Sequence, residues 1–200
     1  RHPRLPATQP GQLTVGQPPD PELVARFSEA RSRVLERIAA AAARARRDPM
    51  AVRLVAVSKT FDADVVGAAV AAGLSTLGEN RVQEAEAKAP SLPDTVEWHL
   101  VGGLQSNKAA RALALFEVIQ TVDSVALAER LARLADGRTV RVLLQVNVDD
   151  DTAKSGFTAR SVGDALPAIL ELPALRVGGL MTVGRLVGEP EAARPTFIRL

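Results

Sequence analysis

The chain has 200 residues, 46% of them hydrophobic, which is enough for one sizeable core. The absence of cysteine excludes disulfides, thiolate metal sites and cysteine nucleophiles, and two histidines disfavour a histidine-rich metal site. A net charge of +2 and 3% aromatic residues give little support to a nucleic-acid-binding module, and no apolar run reaches the ~20 residues of a membrane span, so we expect a cytoplasmic protein.

The N-terminal region combines a proline-rich arm with a long helix. Residues 1–20 contain several prolines and no apolar periodicity, which predicts a disordered arm. The run Asp20-Pro21-Glu22 matches a helix N-cap, a first-turn proline and a first-turn acid, so a helix is predicted over 21–47. Its apolar residues fall at helical spacing on one face. They are Leu23, Phe27, Ala30, Val34, Ile38 and Ala41.

Short apolar runs then alternate with alanine-rich amphipathic stretches. Apolar runs of this kind are typical of strands buried in a parallel sheet, and the alternation indicates βαβ units. Strands are predicted at 53–58, 75–78, 97–102, 117–121, 140–148 and 176–181. Helices are predicted at 62–72, 80–88, 105–114, 124–135 and 160–171, with another beginning at Glu189. Six such repeats suit either a doubly wound sheet or most of a (β/α)8 barrel.

Polar residues follow the predicted strands, where β/α folds place their functional groups. They are Ser58, Lys59, Glu79, Asn80, His99, 105–108, Asp123, Asn147 and Met181. Lys59 follows five residues that we expect to be almost wholly buried, so we expect this lysine to be partly desolvated. A desolvated lysine is more readily neutral and reacts with carbonyl groups. The spacing alone favours a plainer interpretation, in which the lysine extends to solvent.

Two other strand-end residues also have plain and functional interpretations. Asn80 either caps a strand–helix junction or hydrogen-bonds a ligand. His99 either is a core histidine paired within the protein or lines a pocket. The spacing alone favours the plain interpretation for both residues.

The remaining motifs carry weaker signals. The turn 102–108 has backbone N–H groups suited to an anion, but it lacks the Walker spacing, and no GxGxxG follows a strand. The acids 149–151 are predicted to form a solvated turn, and Lys154 to be a solvated loop lysine. A transient second contact of Lys154 with an aldehyde ligand is an open hypothesis.

Several motifs occur in an order and spacing that resemble the pyridoxal phosphate homeostasis protein family. They are 54–60 (LVAVSKT), 78–84 (GENRVQE), 97–108 (EWHLVGGLQSNK), 145–147 (QVN), 154–156 (KSG) and 179–181 (GLM). The resemblance implies a (β/α)8 barrel of the TIM type, related to the alanine racemase N-terminal domain, with an extra N-terminal helix. The domain is predicted to span 21–200.

The resemblance also implies function and site residues. It implies a protein without established catalysis that holds pyridoxal 5′-phosphate (PLP) as a Schiff base on Lys59, for storage or delivery to PLP-dependent apoenzymes. Asn80 is implied as a ring contact, and His99, Asn147 and Met181 as residues lining the pocket. A monomer is expected. A racemase-like enzyme is the alternative, but the chain contains no tyrosine to serve as the second acid–base group of alanine racemase.

One departure from the family concerns the cofactor phosphate. The family's phosphate-binding elements follow strand six, and they do not occur before Leu200. We therefore expect a barrel truncated after about six β/α units. If these 200 residues are the whole protein, we expect weak cofactor retention and exposed edge strands. A smaller departure is Gly103, where the family has a bulkier residue.

Overall fold

The structure is a computed structural model that describes residues 18–200, so the arm predicted at 1–20 lies outside the described residues except for its last three. Helix α1, Pro21–Arg44, begins as predicted, because the Asp20 carboxylate accepts a hydrogen bond from the backbone N–H of Glu22 at 2.9 Å. The apolar face of this helix is only partly covered: Leu23, Phe27 and Ile38 are half-buried, Val34 is 36% exposed, and Ala42 alone is fully buried. The helix touches the rest of the domain mainly through α2, which lies beside it.

Six parallel strands form one sheet in the order in which they occur along the chain. They are β1 (Ala56–Val57), β2 (Thr76–Glu79), β3 (Glu97–Leu100), β4 (Val118–Val122), β5 (Val140–Gln145) and β6 (Leu175–Met181). The helices between and after them are α2 (Ala63–Ala71), α3 (Val82–Lys88), α4 (Ala109–Leu115), α5 (Val125–Leu134), α6 (Ala159–Leu170) and α7 (Arg194–Arg199). The βαβ alternation predicted from the sequence is therefore confirmed.

Some predicted strands are too long. The strand predicted at 53–58 pairs only over Ala56–Val57, and the strands predicted at 97–102 and 140–148 end at Leu100 and Gln145. β5 ends where Val146 turns to form a bridge with Phe157, which brings a later loop against the strand end. The helix predicted at 105–114 begins with a 3-10 turn and becomes α-helical at Ala109.

The core lies between the sheet and the helices. Alternate strand residues such as Leu77, Trp98 and Val142 point to the helices and are nearly inaccessible to solvent. The opposite face of the sheet carries His99, Gln120 and other polar side chains. Within residues 18–200, β1 and β6 are not paired with each other, so the six strands have the sequential order of a barrel with an edge at each end. In the same part of the chain, no helix is both long and apolar enough to cross a bilayer.

Candidate functional site

Lys59 lies in the turn that follows β1. The backbone N–H of Ser58 donates to Gly78 at 2.9 Å, and the N–H of Phe61 donates to the Ser58 carbonyl at 3.3 Å. The expectation that Lys59 is partly desolvated is wrong: Lys59 is exposed, and Val57 before it is 49% exposed. The physical reason is the edge position of β1, which leaves one side of the strand without a neighbour within residues 18–200.

Asn80 follows the strand next to the one that leads into Lys59. The register pairs Val57 with Gly78, and the Ser58 N–H donates to the Gly78 carbonyl, so the turn that holds Lys59 and the residue Asn80 both follow the carboxyl ends of these two neighbouring strands. The loop after β3 approaches Asn80 from the other side, where Gly102 lies against the Asn80 backbone. That loop is tied to β4, because the Thr121 hydroxyl donates to the Gly102 carbonyl at 2.8 Å. The two motifs are therefore packed together at the carboxyl ends of the strands.

An open cavity of about 370 Å³ lies at this end of the sheet. Its lining residues are Asn80, Gly103, Gln145, Val146, Asn147, Ala153, Lys154, Ser155 and Val183. Two of the residues predicted to hold the cofactor, Asn80 and Asn147, therefore meet at one cavity. Lys59, His99 and Met181 do not line it. Met181, at the end of β6, is half-buried, and its carbonyl accepts a hydrogen bond from Val146 at 2.8 Å.

The side-chain amide of Asn147 organises its own loop. Its Nδ2 donates to the carbonyl of Asp151 at 2.8 Å, and its Oδ1 accepts from the backbone N–H of Asp151 at 3.1 Å. Gly156 brings the end of this loop against β5, with a φ of 133° and with space for a β-carbon blocked by the Asn147 nitrogen at 2.8 Å. Asn147 thus shapes the cavity wall by holding the loop.

His99 lies in β3 opposite Gly78 of β2, where it is only 5% exposed. Its Nδ1 is 2.7 Å from the Gln120 amide nitrogen, and its Nε2 is 3.3 Å from a carboxylate oxygen of Glu97 without good hydrogen-bond alignment. Burial lowers the pKa of His99 below its ordinary value of 6.5, and the nearby Glu97 carboxylate offsets only part of this effect. The imidazole is therefore neutral at pH 7.

Glu97 joins two arginines beside His99. Its two oxygens accept hydrogen bonds from Arg53 at 2.6 Å and from Arg141 at 2.7 Å. Partial burial raises the pKa of the Glu97 carboxyl, but the hydrogen bond from Arg141 and the proximity of His99 and Arg53 outweigh burial, so the pKa lies below its ordinary value of 4.5. This polar layer crosses the sheet from the start of β1 to β5.

Two loop residues differ from the solvated state predicted for them. Asp149 is buried and accepts hydrogen bonds from the Thr196 hydroxyl at 2.9 Å and from Arg199 at 2.5 Å, so it anchors α7 to the end of β5. The Lys154 amine donates to the carbonyls of Val183 at 3.0 Å and Gly184 at 2.9 Å. Both interactions join segments that are about 30 to 50 residues apart, which local sequence patterns do not reveal.

Lys88 is a residue that sequence reasoning did not select. It lies at the end of α3 and is 7% exposed. It forms an ion pair with Glu79, which is fully buried. A signal was present: Val82, Ala85 and Lys88 follow one another at intervals of three, so a charged residue occupies the buried stripe of the helix.

Comparison with known proteins identifies relatives. The family model described as "Alanine racemase, N-terminal domain" matches residues 31–198. The pyridoxal phosphate homeostasis protein of Pseudomonas aeruginosa is 40% identical over 172 residues, which cover 84% of this chain and 75% of the relative. The protein of the same name from Escherichia coli K12 is 37% identical over 158 residues, covering 76% of this chain and 68% of the relative.

Solved structures agree with the sequence comparison. The crystal structure of an unknown protein from Bifidobacterium adolescentis superposes with a TM-score of 0.83 at 35% identity, covering 93% of this chain and 80% of that one. PipY of Synechococcus elongatus, solved with PLP bound, gives a TM-score of 0.65 at 40% identity over 82% of this chain and 79% of PipY. The predicted α/β fold related to the alanine racemase N-terminal domain is therefore confirmed, with six parallel strands.

Proposed function

This chain belongs to the pyridoxal phosphate homeostasis protein family, and we propose that it holds PLP covalently on the Lys59 amine for storage or delivery. The family name and the PLP-bound structure of PipY support PLP as the ligand. Bound PLP supplies an aldehyde to which a primary amine adds with loss of water. The question for this chain is which amine is available.

Lys59 is the observation that carries the proposal. Among residues 18–200, its amine makes no hydrogen bond or ion pair, and it is exposed at the carboxyl end of β1. Lys88 is buried in an ion pair, and the Lys154 amine is bonded to two backbone carbonyls. An amine that is held as a hydrogen-bond donor must first release its acceptors before it can react, so Lys59 reacts at a lower cost than Lys88 or Lys154. The amine of Lys108 is also unbonded among the described residues, but Lys108 is half-buried in the 3-10 turn that leads into α4, whereas Lys59 is exposed directly after a strand.

The neighbouring residues fit the aldehyde end of a pyridine cofactor. Asn80 follows β2, the strand that pairs with the one leading into Lys59, and it lines a cavity whose volume of about 370 Å³ suits a small ligand. Gly103 leaves the cavity wall open, because a β-carbon there would meet nothing within 4 Å. Asn80 is assigned as a ring contact and Asn147 as the residue that holds the cavity wall. His99 and Met181 are proposed to support the site from the layers around it.

Absence of turnover is part of the proposal. The relatives are named for homeostasis and not for a reaction. A racemase needs acid–base groups on both faces of the cofactor, and this chain contains no tyrosine to serve as the second group. Transfer to PLP-dependent apoenzymes, a monomeric state and a cytoplasmic location stay predictions of this proposal. Incubation of the PLP-loaded protein with L-alanine tests the racemase alternative, since steady loss of optical rotation would favour it.

Trapping of the bound cofactor tests the assignment of Lys59. The protein is incubated with PLP, reduced with borohydride, which converts the linkage to a stable secondary amine, and digested for peptide mass mapping. We expect the adduct on the peptide that contains Lys59, and no adduct in Lys59→Arg, which keeps the positive charge. An adduct mapped to Lys108 or Lys154, or no adduct on the wild-type protein, contradicts the assignment.

A further inference from the structure

Helix α3 holds the two peptide groups that flank Lys59. The Lys88 amine donates to the carbonyl of Ser58 at 2.8 Å, and the backbone N–H of Thr60 donates to a carboxylate oxygen of Glu84 at 3.4 Å. Glu84 and Lys88 are four residues apart, so both side chains project from one face of the helix. The carbonyl before Lys59 and the N–H after it are thus both bonded to the same helix.

The contact on the Ser58 side depends on a buried ion pair. The Lys88 amine lies 2.6 Å from Oε1 of Glu79, and that oxygen also accepts a hydrogen bond from the Ser58 hydroxyl at 2.8 Å. Oε2 of Glu79 is buried without a hydrogen-bond partner among the described residues. Burying a charge pair is costly, an unpaired oxygen adds to the cost, and apolar replacements of such pairs are often neutral or stabilising. Stability alone therefore gives a poor account of this cluster.

The backbone at this turn is also unusual. Thr60 has a φ of 70°, a conformation that non-glycine residues adopt at an energetic cost, and it immediately follows Lys59. Such a conformation persists only where the surrounding contacts determine it, and it occurs preferentially at functional sites. The residues on both sides of Lys59 are hydrogen-bonded to α3, and the turn is closed by the hydrogen bond from Phe61 to Ser58. The side chain of Lys59 is therefore exposed while its neighbouring peptide groups are hydrogen-bonded.

We propose that Glu79, Glu84 and Lys88 act together as a clamp that positions Lys59 for its bond to PLP. Lys88 and Glu79 fix the carbonyl on one side of Lys59, and Glu84 fixes the N–H on the other. None of the three lines the cavity, so each acts through the direction in which the turn presents the lysine. The inference rests on the proposed function, because it assumes that Lys59 carries the cofactor.

An apolar replacement of the ion pair separates positioning from stability. The double variant Glu79→Leu/Lys88→Met removes both buried charges, so we expect its melting temperature to equal or exceed that of the wild type. We expect its Kd for PLP to rise by at least about tenfold, and the borohydride-trapped fraction on Lys59 to fall. Pyridoxine 5′-phosphate, which lacks the aldehyde and cannot join to lysine, should bind both proteins equally.

A pair of single variants on α3 provides a test that does not disturb the core. Glu84→Ala removes the contact with Thr60, whereas Glu86→Ala, two residues away, removes an ion pair with Arg111 on α4. Both glutamates are partly exposed, so both variants should fold. We expect Glu84→Ala to raise the Kd for PLP by about twofold to fivefold and Glu86→Ala to leave it unchanged.

The outcomes distinguish failure of the clamp from failure of the proposed function. No trapped adduct on wild-type Lys59 means that the proposed function is wrong. A wild-type adduct together with unchanged PLP affinity in the folded double variant overturns the clamp. So does an equal loss of affinity for PLP and for pyridoxine 5′-phosphate, which indicates general damage to the cavity. If the double variant does not fold, equal PLP affinities of Glu84→Ala and Glu86→Ala overturn the clamp.

Discussion

Gly102 lies against Asn80 so closely that a β-carbon on Gly102 would be 2.3 Å from the Asn80 carbonyl oxygen and 2.6 Å from its Cα. Neither atom belongs to a flexible side chain, so a side chain at position 102 forces the two backbones apart. The close contact joins the loop after β3 to the residue proposed to touch the ring of PLP. Glycine at position 102 is therefore a requirement of the site geometry.

Replacement of Gly102 tests this contact. We expect Gly102→Ala to lower the free energy of unfolding by about 1–3 kcal/mol, the usual cost of overpacking, and to weaken PLP binding as Asn80 moves. Chemical denaturation and PLP titration measure the two effects. Gly103→Ala is the matched control for the unfolding measurement, since a β-carbon there meets nothing within 4 Å. Equal losses of unfolding free energy in the two variants would show that the steric contact is not their cause.

A second prediction concerns the anchor of α7. Asp149→Asn removes the charge that Arg199 and the Thr196 hydroxyl bind, so we expect a loss of about 1–3 kcal/mol in the free energy of unfolding. Hydrogen exchange of the amides in Arg194–Arg199 should become faster. Asp150→Asn is the control, because Asp150 is exposed and asparagine accepts its φ of 51°. Unchanged exchange in Asp149→Asn would indicate that apolar contacts alone hold α7.

Much of this fold follows from local patterns. The period of apolar residues predicts all six strands and the helices between them, since burial on one or both faces leaves a direct mark on the sequence. Strand-end positions likewise predict Asn80 and Asn147 at the cavity. These predictions succeed because each depends only on which residues the chain buries within one element.

Contacts between distant segments escape the same reasoning. Asp149 is buried by α7, which begins 45 residues later, so a run of three acids does not reveal which one is covered. The exposure of Lys59 depends on the edge position of β1, and edge strands are not distinguishable by composition here. The pairing of Lys88 with Glu79 requires the packing of α3 on the sheet. Of these three contacts, only the burial of Lys88 could have been inferred from the sequence, because Lys88 falls on the buried stripe of its helix.

The loop after β6 provides a third prediction. Lys154 holds the carbonyls of Val183 and Gly184, so Lys154→Met should release the segment 182–188 and speed its amide hydrogen exchange. Lys154→Arg keeps a cationic donor and should restore most of the protection. Because the amine already donates to two backbone carbonyls, we expect it to form less borohydride-trapped adduct with PLP than Lys59. If amide hydrogen exchange is identical in Lys154→Met and the wild type, contacts other than those of Lys154 hold this segment in place.

The polar layer around His99 predicts a pH dependence of stability. Burial lowers the pKa of His99 below 6.5 in the folded protein, so between the folded pKa and 6.5 the unfolded chain binds more protons at this position. Stability therefore falls as the pH drops through that window and levels off below the folded pKa. Glu97 acts in the same direction at lower pH: its depressed pKa contributes stability above 4.5 that is lost as the pH falls through the folded value.

Substitution of His99 separates the effect of His99 on stability from that of Glu97, since the two residues titrate in different pH ranges. Chemical denaturation of the wild type and of His99→Gln is compared at intervals from pH 8 down to about pH 5, where Glu97 stays ionised and contributes little to the slope. At pH 8 the comparison measures the packing and hydrogen bonding lost with the imidazole. Below pH 6.5 the wild type should lose stability while the variant does not, so the two curves converge on acidification. Parallel curves would mean that His99 binds a proton as readily in the folded state as in the unfolded chain, for example if Glu97 fully compensates for burial.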